Sequence, residues 1–132
     1  MSREIDGKTD SGRAGTARSK SMNLPLPDDP LSFIQECVRS RRMFWTYHVN
    51  MRMDRRSIAR RTILDAVESY AIIESYPDDK YLPSYLVWMT LDGEFIHALF
   101  AVDVADRTVR VVTAYRPQPL EWTPDMKRRN PR

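Results

Sequence analysis

The sequence predicts an α+β fold: N-terminal helices packed on a small antiparallel sheet of about four strands. Three observations carry this. Apolar residues recur at helical spacing as far as Tyr70 and at every second position from Ala71 onward. Asp28 and Asp29 followed by Pro30 form a helix entry, an acidic N-cap with proline at the first helical position. Asp92-Gly93 stands between two apolar runs, the signature of a two-residue hairpin turn. Helices followed by a run of strands indicate α+β rather than alternating α/β.

The chain divides into three parts. Residues 1–29 are rich in Ser, Gly, Asp, Lys and Arg, and bury too little apolar surface to offset ordering entropy. A disordered extension is expected there, with Met22 as an alternative native start. Residues 30–123 form one α+β domain, and residues 124–132 a loose basic tail.

Within the domain, Leu31, Ile34, Cys37 and Val38 share one face of the first helix, with Arg39 to Arg42 at its C-terminal end. Met43 to Tyr47 is short, aromatic and extended. A second helix holds His48. Ser57-Ile58-Ala59 breaks it, and a third helix runs to about Tyr70, burying Ile63, Ala66, Val67 and Tyr70. Strands then follow at Ala71–Tyr76, Ser84–Leu91, Glu94–Val102 and Thr108–Arg116. The third is apolar on both faces and therefore central. On the last, Thr113 and Tyr115 are expected to share a face with Val109 and Val111, opposite Arg110 and Arg116. Pro117 and Pro119 end it, and Trp122 packs back on the core.

The totals narrow the classes. With 132 residues, 42% hydrophobic and 30% charged, the chain suits one soluble domain. A single cysteine, Cys37, allows no internal disulfide and points to a reducing, cytoplasmic compartment. No apolar run reaches membrane-span length. Two histidines and one cysteine make no zinc pattern, and the four glycines make no phosphate loop, so no metal or cofactor is expected.

Charge is unevenly placed. From Arg39 to Arg61 there are eight arginines and one acid; from Thr62 to Tyr115 there are three basic residues and nine acids. A basic band beside an acidic body attracts a polyanion to one surface, or docks an acidic protein. In that band His48 and Arg52 lie four residues apart, with Arg55 and Arg56 one turn on. A proton-transfer group beside fixed cations suits a phosphodiester. Taken alone, the stretch reads first as a solvated basic helix with an incidental histidine. His97, between Phe95 and Leu99 on an apolar strand, reads as a hydrogen-bonded core residue or as part of a site on the open sheet face. Tyr115 reads as half-buried, as a proton donor, or as a stacking platform. A helix-turn-helix over the His48 segment and Ser57–Tyr70 fits poorly with the strands that follow.

Thr46-x-His48, Arg52-Met53, Arg56-x-Ile58 and Pro77-Asp78-Asp79 are followed by Asp92-Gly93, His97, Val112-Thr113-x-Tyr115-x-Pro117 and Trp122. In this order they resemble the bacterial domain of unknown function 4258 (DUF4258), from about Leu31 to Trp122. Ser57 stands where the family often has glycine, Ala59 where it often has a Ser or Thr cap, and Val49 where alanine is common. The cap change weakens a helix start by about 1 kcal/mol.

The resemblance implies a RelE-like or barnase-like ribonuclease architecture, related to RelE-type and BrnT-type toxins. It implies a metal-independent endoribonuclease, of the mRNA interferase type, or a relative that has lost activity, and a cognate antitoxin partner. The expected substrate is RNA, free or ribosome-associated. Cleavage through the 2′-hydroxyl needs a base, cations for the transition state and an acid for the leaving oxygen. His48 is the candidate base or acid; Arg52 and Arg56 hold phosphate, with Arg55 in reserve. His97 or Tyr115 is the second proton-transfer group, and Thr113 orients one of them against the RNA. The competing reading is a non-catalytic RNA- or protein-binding module that uses the Arg39–Arg61 band.

Overall fold

The computed structural model describes residues 24–131. The expectations for residues 1–23, including a start at Met22, lie outside the described residues. In chain order the elements are α1 (Pro30–Arg39), β1 (Met43–Trp45), α2 (Tyr47–Arg55), α3 (Arg60–Asp65), a 3-10 turn (Val67–Ser69), β2 (Ala71–Tyr76), β3 (Ser84–Leu91), β4 (Glu94–Asp103) and β5 (Thr108–Tyr115).

One five-stranded sheet has the order β1-β5-β4-β3-β2, so β4 is central, as its two apolar faces indicate. The meander β2 to β5 is antiparallel. The fifth strand is an addition to the four expected: β1 joins the edge parallel to β5, with Met43 opposite Val109 and Trp45 opposite Val111. The β3–β4 hairpin turns at Asp92 (φ 52°) and Gly93 (φ 81°), both left-handed as a type I′ turn requires.

The helices cover one face. Ile34, Cys37 and Val38 of α1, Val49 and Met53 of α2, and Ile63 of α3 are buried with Val87, Met89, Ile96, Phe100, Val109 and Val111 of the sheet. Burying such side chains contributes roughly 1.5–3 kcal/mol each before entropy is subtracted. Asp29 caps α1 by accepting from the Ser32 amide at 3.1 Å. Ala59 gives α3 no side-chain cap. The Cys37 thiol is buried, which pushes its pKa up and leaves it inert.

The segments that flank the α+β core lie against it, Trp122 among them as expected. Pro27 is buried beside α1, and residues beyond Pro119 fold back over the sheet face that the helices leave bare. Strand parity on β5 also differs from expectation. A bulge opposite Leu99 and Phe100 inserts one residue, pairing Thr113 with Leu99 and Tyr115 with His97. Thr113 and Tyr115 therefore share the bare face with Arg110, not the helix-covered face with Val109 and Val111. Among the described residues no helix is long and apolar enough to cross a membrane.

Candidate functional site

Helix α2 begins at Thr46, whose hydroxyl accepts from the Val49 amide at 3.2 Å. Val49 and Met53, four residues apart, enter the core. The same spacing puts His48, Arg52 and Arg55 together on the exposed side. His48 stands edge-on to Tyr47, ring centroids 5.8 Å apart. Arg52 and Arg55 sit in the last turn, where the helix dipole favours cations.

Most other arginines of the basic band are committed internally. Arg39 pairs with Glu68 at 2.9 Å and Arg61 with Asp65 at 3.2 Å. Arg42 donates to the Arg107 carbonyl, and Arg60 donates to Asn50 while lying over Trp45. Among the described residues, the side chains of Arg52 and Arg55 have no ion-pair or hydrogen-bond partner.

Arg56 lies just past the helix and turns toward β5. The turn is a Schellman motif: the Ile58 amide donates to Met53 O at 2.9 Å and the Ser57 amide to Asp54 O at 3.1 Å, with Ser57 at φ 56°. Arg56 Nη1 donates to Ala114 O at 2.7 Å. Arg116 returns the contact, donating to Arg56 O at 2.5 Å and Ser57 O at 3.1 Å. A cleft of about 440 Å³ opens here, lined by Arg56, Tyr115, Arg116, Gln118 and Glu121.

His97 is 0% exposed. Its Nε2 lies 2.7 Å from the Met126 carbonyl, and its Nδ1 lies 3.2 Å from the Tyr115 hydroxyl. A carbonyl only accepts, so Nε2 carries the proton, and in the neutral ring Nδ1 accepts from Tyr115. Burial lowers the His97 pKa and raises that of Tyr115, so both neutral forms are favoured.

The cover over His97 is the C-terminal strap. Trp122 packs edge-on at 4.4 Å between ring centroids. Trp88 Nε1 donates to Asp125 O at 2.8 Å, and the Lys127 ammonium lies 4.3 Å over the Trp88 ring. Arg129 pairs with Glu74 at 2.7 Å and lies 4.7 Å over Trp122. The Arg129 guanidinium beside Glu74 holds that carboxyl below the usual range.

The candidate residues are thus divided between the two layers. His97 and Tyr115 meet directly. Arg56 joins Tyr115 at the cleft. His48, Arg52 and Arg55 lie on the outer side of α2, in the helix layer, whereas His97 is on the opposite face of the sheet; the two histidines do not converge. Thr113 is half-buried on the bare face, opposite Leu99. Sequence reasoning missed Glu74, Trp88, Met126 and Arg129. Trp122 was a signal that the end of the chain packs, but the cation–ring contacts have no spacing rule. Among the described residues, no group of three or more His, Cys, Asp or Glu side chains gathers where it could hold a metal ion.

A family model described as "Domain of unknown function (DUF4258)" matches residues 45–116. The match runs from the end of β1 through β5 and takes in His48, Arg52, Arg55, Arg56, His97, Thr113 and Tyr115. It is shorter than the Leu31–Trp122 resemblance, leaving out α1 and the strap. No curated protein matches the chain, and no solved structure does. The matched span is more than half of the chain, and the protein belongs to the DUF4258 family.

Proposed function

We propose that this domain is an RNA-binding module that takes backbone phosphates on the exposed side of α2. The observation that carries the proposal is the row His48, Arg52 and Arg55, one helical face with two guanidinium groups that the described residues leave unpartnered. Guanidinium forks match phosphate oxygens, and Tyr47 at the head of the helix is exposed for stacking. The sealed environment of His97 supports binding over a mechanism that needs both histidines. Binding of a fluorescent single-stranded RNA across a salt series tests this. The Arg52→Ala, Arg55→Ala double variant should bind more weakly and flatten the slope of log K against log salt by about 1.4, two contacts at about 0.7 each. An unchanged slope would sink the phosphate assignment.

A second reading, a metal-independent endoribonuclease of the toxin type, draws support from the cleft. There Arg56 and Arg116 flank the Tyr115 phenol, itself hydrogen-bonded to His97. In this scheme the RNA 2′-hydroxyl gives its proton to Tyr115 oxygen as Tyr115 gives its own to His97 Nδ1. The 2′-oxygen forms a bond to phosphorus, the bond to the 5′-oxygen breaks, and solvent protonates the leaving group. The arginines stabilise the charge that develops on the phosphate. The product would carry a 2′,3′-cyclic phosphate, form equally in EDTA, and be absent with a 2′-deoxy at the cut site. A cognate antitoxin with acidic side chains would cover the Arg39–Arg61 band.

A further inference from the structure

The strap covers only one end of the sheet face opposite the helices. At the other end lies a hollow of about 230 Å³, with Leu99, Ala101 and Val112 in its floor and Tyr81, Arg110 and Asp79 among its walls. We propose that this hollow receives one unpaired base of the RNA whose phosphates lie on α2; the proposal rests on the RNA-binding reading above.

Size and chemistry select the occupant. Drug-sized ligands use pockets from roughly 300 Å³ upward, so this hollow suits something smaller and flat. Two lining residues are polar: the Arg110 guanidinium only donates and the Asp79 carboxylate only accepts. A base offers both kinds of edge group. Asp79 is already held in place, accepting from the Ser84 hydroxyl at 2.6 Å and the Lys80 amide at 2.9 Å. Tyr81 is 78% exposed and supplies a ring for stacking. Phe44 is 54% exposed and pairs with Arg110 across β1 and β5, so it offers a second ring on the same face.

The hollow also reaches the residue that starts α2. Thr46, the N-cap of that helix, lines it. A strand crossing Thr46 would leave its phosphates near α2 while a base turned onto the sheet.

The test compares a single-stranded RNA, the same strand made duplex, and the same strand with abasic positions, by fluorescence anisotropy. Wild type should prefer the intact single strand. Tyr81→Ala should weaken that binding by about tenfold, as loss of one stacked base does, leaving abasic and duplex binding and the salt slope unchanged. Tyr81 is on the surface, so the variant should fold as wild type does. If wild type binds RNA but Tyr81→Ala matches it, or if all three RNAs bind alike, the hollow holds no base and the α2 phosphate surface survives. If wild type binds none of them, RNA binding itself fails and the hollow falls with it.

Discussion

Tyr115 donates a hydrogen bond to His97 across neighbouring strands, and the direction of that bond is set by Met126, whose carbonyl accepts from the one N–H of the neutral ring. The pair is therefore tuned to a neutral histidine.

Stability should consequently depend on pH near the histidine range. The folded-state pKa of His97 is depressed below the ordinary value of about 6.5. The unfolded chain then takes up the proton first as pH falls. Stability is full above about pH 6.5 and is lost as pH drops from there toward the folded pKa. Urea midpoints measured between about pH 7.5 and about pH 5.5 should fall, and His97→Gln should flatten the trend in that window. A midpoint rising on acidification in this window would contradict the sign.

Ser57 holds a left-handed conformation, φ 56°, that glycine adopts without a side-chain penalty. Its amide and that of Ile58 already close the end of α2. Ser57→Gly should stabilise the fold by about 1 kcal/mol, seen as a higher denaturant midpoint with unchanged m-value. A lower midpoint would show that the extra freedom of glycine in the unfolded chain outweighs the relieved strain.

Arg129 ties the strap down twice, through Glu74 and through the Trp122 ring. Arg129→Ala removes both contacts and leaves the mostly buried Glu74 carboxylate without its cation. A loss of roughly 1–2 kcal/mol is expected. Carbethoxylation of His97, followed by mass spectrometry, should be faster in this variant than in wild type. Equal rates would mean that Trp122 and the Met126 contact hold the cover alone.

Legibility in the sequence followed the strength of local signals. β2 and β3 were bounded to the residue, because alternating side chains meet strong turns at Pro77 and Asp92-Gly93. Asp29-Pro30 marked the start of α1 for a similar reason. Met43–Trp45 is too short to show a period, and its pairing depends on a strand far along the chain. The bulge on β5 has no marker, since Val111, Val112 and Thr113 are all ordinary strand residues. Counting alternate positions through it put Tyr115 on the wrong face. Of the site, the exposed row on α2 was readable from helical spacing. The sealing of His97 was not, because it depends on a backbone carbonyl and on cations over rings.

The parallel pairing of Met43 with Val109 has a consequence for how the chain acquires its shape. β2 through β5 connect to their neighbours by short loops and can assemble early. β1 and α2 are synthesised before any of these strands, yet their partner β5 is the last of the five strands to emerge from the ribosome. During synthesis Val49 and Met53 have no sheet to lie on. Docking of the first strand against the fifth is therefore a late step, and a nascent chain halted before Val109 would expose the apolar side of α2 to chaperones and proteases.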